Sequence, residues 1–176
     1  MATRLPIVGV MGSGSQPHTG RARRVGAWLA RTGVHLLTGG GRGVMAAVSQ
    51  AFAETVGRRG LVIGIIPSAT HDPLAGPKAG YPNPWVEIPI YTHLSLSGER
   101  GSEPLSRNHI NILSADVVIA LPGGPGTASE VDLALRYGRP LVAYLDRRAD
   151  IKGLPDRAVV ENDFSAVQAF VRAHLM

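Results

Sequence analysis

Apolar positions fall into two alternating patterns along the chain. Short β-branched runs predict strands at Ile7 to Val10, His35 to Leu37, Leu61 to Ile66, Trp85 to Ile90, Val117 to Leu121 and Leu141 to Tyr144. Leu61 to Ile66 is continuously apolar, as in a strand buried on both faces. Between the strands, apolar residues recur at helical spacing. Arg21 to Arg31 places Val25, Trp28 and Leu29 on one face, and Val44 to Glu54 does the same with Val44, Ala47, Val48, Ala51 and Phe52. Ser106 to Leu113 reads as a helix with Ile110 and Leu113 toward a core and Arg107, Asn108 and Asn111 on a polar face. Thr127 to Tyr137 is a helix ended by Gly138 and Pro140, and Phe164 to Leu175 follows the caps Asn162 and Asp163.

Strands alternating with helices imply parallel pairing through right-handed crossovers. The expectation is one domain over residues 1–176: a three-layer, Rossmann-like α/β fold with a doubly wound, mainly parallel sheet. Such sheets bind ligands beyond the carboxyl ends of their strands. One irregular stretch, Pro67 to Pro84, is long for a connection in a compact domain and is expected to be functional, as a lid for example, or disordered.

Composition narrows the chemistry. The chain has no cysteine, which removes disulfides, thiolate metal sites and a cysteine nucleophile. The N-terminal Met-Ala-Thr-Arg-Leu-Pro runs into a strand without the apolar stretch of a signal peptide, and no apolar run has the length of a membrane span. A cytoplasmic protein without membrane contact is therefore expected. The net charge of +5 comes almost entirely from arginine, lysine occurring only at Lys78 and Lys152. No basic block forms and no aromatics interleave the arginines, so a nucleic-acid partner is not expected.

Three Gly-rich segments each follow a predicted strand and precede a predicted helix: Gly12-Ser13-Gly14-Ser15, Thr38-Gly39-Gly40-Gly41-Arg42-Gly43 and Pro122-Gly123-Gly124-Pro125-Gly126-Thr127. Glycines allow backbone N–H groups to line a concavity, and the helix that follows adds its positive end, so each loop favours an anion. The dinucleotide fingerprint is incomplete, because the first loop lacks its third glycine and no acidic residue follows the second strand. No loop carries the Gly-Lys-Ser/Thr of a P-loop. The expected ligand is a small phosphate-bearing molecule. Thr127 and Glu130 have the spacing of a capping box, and Glu130 also has a functional reading as a carboxylate at the mouth of the phosphate loop. The six histidines do not fall at metal-ligand spacing, and Asp116 and Asp132 read as turn and surface residues. No metal held directly by protein side chains is expected.

The run Pro122 to Glu130 resembles the PGGxGTxxE signature of the "lonely guy" phosphoribohydrolases, with Arg107 fifteen residues before Pro122 as in that family. That resemblance implies cleavage of the N-glycosidic bond of nucleoside 5′-monophosphates, with Arg107 and Glu130 as catalytic residues. A second branch of the same superfamily, the molybdenum-cofactor carrier proteins, is similar over more of the chain. The similarity runs through Val8-Gly9-Val10-Met11-Gly12, Leu37 to Gly40, Gly43-Val44-Met45, Ile88-Pro89-Ile90, Arg107-Asn108-x-Ile110-Asn111, Gly126-Thr127-Ala128-x-Glu130 and Ala134-Leu135. It implies a homo-oligomer, dimer or tetramer, that binds the phosphorylated pterin cofactor without turning it over. In this reading Gly123, Gly124, Gly126 and Thr127 cradle a phosphate or oxyanion, Gly12, Ser13 and Gly14 join them, Thr38 to Gly43 cover a second polar group, and Arg107, Asn108, Asn111 and Glu130 orient the ligand. The hydrolases usually have Arg-Lys where this chain has Arg107-Asn108, and the carriers often depart from the Pro-Gly-Gly kept here, so both readings stay open. The Pro67 to Pro84 stretch looks longer than in either branch, which would shape a different pocket.

Overall fold

A computed structural model describes residues 4–72 and 74–175. Residues 1–3 of the N-terminal segment, position 73 of the long irregular stretch and position 176 lie outside the described residues. Strands β1 (Ile7–Met11), β2 (His35–Thr38), β3 (Val62–Ile66), β4 (Ile88–Tyr91), β5 (Val117–Ala120), β6 (Leu141–Tyr144) and β7 (Val159–Glu161) form one sheet in the order β4-β3-β2-β1-β5-β6-β7. Every neighbouring pair is parallel. The fold is thus a single-domain, Rossmann-like α/β sandwich, and the sheet is parallel throughout.

The helices are α1 (Thr19–Arg31), α2 (Val44–Ala53), α3 (Asn108–Ser114), α4 (Pro125–Arg136) and α5 (Phe164–Leu175). Alternation along each strand feeds two cores. Val8, Val10, Leu36, Val117, Ile119 and Val142 meet Val25 and Leu29 of α1, Val48 and Phe52 of α2, and Val167 and Val171 of α5. Met11, Leu37, Val118, Ala120, Leu141 and Ala143 meet Ile112 of α3 and Val131, Leu133 and Ala134 of α4. Helices therefore cover both faces, giving the three layers that a sheet apolar on both sides requires.

Several local expectations are corrected. β7 is a three-residue strand whose first residue is exposed, too short and too polar at its borders to stand out as a periodic run. The strand predicted from Trp85 starts only at Ile88, and all four of its residues are exposed at the sheet's edge. On α3 Ile110 packs against the core as expected, but its fully buried partner is Ile112, and Leu113 is 46% exposed. The helix is only seven residues long and is set by its docking under β1, so its periodicity is a weak guide. Helix α4, expected from Thr127, starts at Pro125 with Gly124 as its N-cap, and no side-chain cap bond is made. Thr127 is therefore inside the first turn, and the capping box does not form. Pro125 supplies the helical φ at a position whose N–H has no partner in any helix. The other end follows the sequence: Gly138 has φ 64°, Gly138 N–H donates to the Leu135 carbonyl (3.3 Å) and Arg139 N–H to the Ala134 carbonyl (2.8 Å), a Schellman ending.

Candidate functional site

The strand order reverses at β1, whose neighbours are β2 and β5. The connections leaving β1 and β5 diverge there, one toward each face of the sheet, and open a crevice at the carboxyl ends. The two loops are joined by a hydrogen bond from Ser13 N–H to the Pro122 carbonyl (3.0 Å). Ser13 also accepts the Val44 N–H on its carbonyl (2.9 Å), which fastens the first loop to the start of α2. The Ser13 hydroxyl is occupied locally, accepting the N–H groups of Ser15 (3.2 Å) and Gln16 (2.9 Å).

A cavity of about 370 Å³ fills this crevice. Ten of the residues singled out from sequence line it: Gly12, Ser13, Gly14, Ser15, Arg107, Asn108, Gly124, Gly126, Thr127 and Glu130. Asn111 sits one layer deeper, fully buried, and its Nδ2 donates to Glu130 Oε1 at 3.0 Å. Gly123 also stands behind the wall. A Cβ there would come within 2.8 Å of Thr127 Cβ, so glycine lets the loop close onto the first turn of α4.

The second Gly-rich loop lies outside the lining. Thr38 is fully buried and its hydroxyl accepts the Gly40 N–H (3.0 Å). Gly39, Gly40 and Gly41 leave room for protein side chains: Arg107, Ile66 and Tyr81 respectively occupy the space where their Cβ atoms would be. Arg42 is exposed and runs beside Gly80. Gly43, with φ 61°, packs on the backbone of Ser13 to Ser15. Gly39 and Gly41 thus shape the cavity through the lining side chains they admit, Arg107 and Tyr81.

Sequence reasoning missed Met11, Met45, Tyr81, Ser97 and Gly98, all in the lining. Tyr81 comes from the long irregular stretch, which closes on itself through the Ala69 N–H to Gly76 carbonyl and Lys78 N–H to Pro67 carbonyl bonds (both 3.0 Å). Its far end is tied to the second Gly-rich loop: Asn83, 4% exposed, donates its N–H to the Gly40 carbonyl (2.7 Å) and its Nδ2 to the Gly41 carbonyl (2.9 Å). Nothing in the local pattern marks Tyr81, because its place depends on a contact with residues 40 positions away in sequence.

The electrostatics centre on Arg107. Its side chain is 4% exposed, lies over Gly39, and has its Cζ 6.0 Å from the Tyr81 ring centroid. Its Nε and Nη1 have no hydrogen-bond partner, and neither does Asn111 Oδ1. A buried polar donor left unmatched costs about 1–3 kcal/mol, and more when charged. Burial pushes the Glu130 carboxyl above its ordinary value of 4.5, opposed by the nearby Arg107 charge and the Asn111 hydrogen bond. The first turn of α4 adds the Gly126 N–H, for which helix geometry provides no intrahelical acceptor. A guanidinium with unpaired donors, lining the same cavity as the first turn of a twelve-residue helix, is a surface suited to an anion. Among the described residues, no group of three or more His, Asp or Glu is placed to hold a metal ion, and no helix is long and apolar enough to cross a membrane.

An all-parallel sheet with a polar crevice at its reversal point defines the class, a Rossmann-like α/β protein. Residues 5–169 match the SLOG cluster4 family, and the chain belongs to that family. It is 34% identical over 163 residues to an uncharacterized protein of Archaeoglobus fulgidus, covering 89% of this chain and 93% of that one. Among solved structures it is similar to the molybdenum cofactor binding protein of the phototrophic bacterium Rippkaea orientalis, with a TM-score of 0.76 and 32% identity over 99% of this chain and 100% of that one. It is also similar to the molybdenum cofactor carrier protein of Chlamydomonas reinhardtii, with a TM-score of 0.71 and 30% identity over 98% and 99% of the two chains.

Proposed function

We propose that this protein binds a phosphorylated pterin, the molybdenum cofactor, as a carrier, holding its phosphate between Arg107 and the first turn of α4. The observation that carries the reading is the buried Arg107 guanidinium, whose Nε and Nη1 lack acceptors beside a polar cavity. A ligand oxyanion meets the guanidinium where it lines the cavity, with Gly124, Gly126 and Thr127 completing the cradle. Asn108 lines the same wall and orients the ligand. The names of the two similar structures, both molybdenum-cofactor proteins, support the cofactor as cargo. A homo-oligomer belongs to the same reading. Leu105 (51% exposed), Leu113 (46%) and Tyr137 (39%) leave apolar surface around α3 and the end of α4, which supports it. Light scattering on the eluting protein measures it directly.

One observation favours a second reading, hydrolysis of nucleoside 5′-monophosphates. Glu130 reaches the cavity wall from a buried position and is held there by Asn111. In its ionised form such a carboxylate stabilises an oxocarbenium-like sugar while water adds to C1′ and the base departs. The two readings separate in one experiment. The purified protein is incubated with a panel of nucleoside 5′-monophosphates, and free base is measured alongside binding of the pterin cofactor. Base release that disappears in Glu130→Ala and Arg107→Ala overturns the pure carrier. Saturable cofactor binding without base release overturns the hydrolase.

A further inference from the structure

The cavity lining combines two kinds of chemistry. Apart from glycines, its lining is aliphatic hydroxyl, amide or charged except at the thioethers Met11 and Met45 and the phenol ring of Tyr81. Met11 and Met45 are buried, and the Met45 sulfur accepts the Gly41 N–H at 3.4 Å. Tyr81 is half-buried, with its ring against Gly41. Two thioethers and an aromatic ring are soft, polarizable partners that suit a flat heteroaromatic system. The geometry points to Tyr81 as the specificity-determining residue of this site, forming with Met11 and Met45 the wall that receives the ligand's heteroaromatic ring. The inference rests on the phosphate-binding reading above and assigns the opposite end of the same ligand.

Two features hold Tyr81 ready. Asn83, two residues on, is fastened to Gly40 and Gly41 by two hydrogen bonds, so the Tyr81 backbone is fixed relative to the β2 end of the crevice. The absence of a side chain at Gly41 lets the Tyr81 ring approach, since a Cβ there would stand 2.6–2.7 Å from its ring and hydroxyl atoms. The Arg107 guanidinium of the phosphate site stands 6.0 Å from the ring centroid. Ring and anion therefore bind at neighbouring but chemically separate surfaces.

The test uses three probes by calorimetry: AMP, 6-hydroxymethylpterin phosphate, and ribose 5-phosphate, which keeps the phosphate and lacks a heteroaromatic ring. Wild type binds at least one of the first two about fivefold or more tighter than ribose 5-phosphate, the lower end of what aromatic stacking provides. Tyr81→Leu removes that advantage and leaves ribose 5-phosphate within about twofold. Tyr81→Phe keeps it, which shows the variant position folds and isolates the ring from the hydroxyl. Where the pterin is the preferred probe, its fluorescence is quenched on binding to wild type and to Tyr81→Phe, and recovers in Tyr81→Leu. An equal loss for all three probes in Tyr81→Leu, or a ring advantage that survives it, overturns the assignment. If wild type binds ribose 5-phosphate as tightly as both ring-bearing probes, and Arg107→Ala abolishes that binding, the Tyr81 wall falls while the phosphate reading stands. If wild type binds none of the probes, the phosphate reading falls and takes the wall with it.

Discussion

Gly39→Ala isolates what the position of Arg107 contributes. Gly39 is buried at the carboxyl end of β2, and its backbone is outside the left-handed region, so alanine fits the chain itself. The obstacle is the guanidinium. A methyl at Gly39 would stand 2.5 Å from Arg107 Nη2 and 2.6 Å from Cζ, closer than atoms can sit. Because this is the far end of a long side chain, Arg107 gives way while the sheet stays in place. The stability cost falls at the low end of overpacking, about 1 kcal/mol, or roughly 2–4 °C in Tm for a domain of this size. Affinity for an anion falls much further. Losing hydrogen bonds to a charged group costs about 1.5–3 kcal/mol, roughly 10- to 150-fold in Kd. Calorimetry with ribose 5-phosphate and thermal melting give the two numbers. The decisive comparison is the double variant: once Arg107→Ala has removed the guanidinium, adding Gly39→Ala changes affinity by less than about twofold. Full affinity in Gly39→Ala alone, or independent losses that multiply in the double variant, would refute a role for the packed position of Arg107.

Three further outcomes follow from the same structure. Glu130 holds its proton more tightly folded than unfolded, because burial raises its pKa above 4.5. The stability from that proton is present in full below the unfolded value and is lost as pH rises through the folded one. Glu130→Gln removes this loss, so its Tm relative to wild type climbs as pH increases from about 4.5; a flat difference counts against the burial argument. Gly43→Ala behaves unlike Gly39→Ala. Gly43 has φ 61°, and its Cβ would meet Gly14 carbonyl carbon and Ser15 N at 2.8 Å, both backbone atoms that cannot swing away. Strain of about 1–2 kcal/mol adds to overpacking, so its Tm drop exceeds that of Gly39→Ala. Phe52→Ala empties a fully buried site between α2 and the sheet and costs about 3–5 kcal/mol, read as a lower urea midpoint at unchanged m.

The sequence alone determined the layer architecture and most of the polar lining of the cavity. Parallel strands buried on both faces must be continuously apolar, and helices packed on one side must repeat their apolar residues with helical period, so both leave local marks. The glycines after β1 and β5 and the polar residues of α3 were legible for a related reason: loops and helix starts at those strand ends have to open on one edge. Tertiary structure decided what these residues face. It turned the second Gly-rich loop from a ligand surface into packing space for Arg107, Ile66 and Tyr81. It moved the start of α4 to Pro125, which takes Thr127 out of the capping position its spacing implied and gives Glu130 to Asn111 instead. Tyr81 entered the site only through the Asn83 contacts with Gly40 and Gly41. Local pattern reports the period of burial within an element, whereas a glycine's neighbour, a carboxylate's partner and a loop's docking point depend on residues distant in sequence, and those are fixed only when the sheet and its crossovers have assembled.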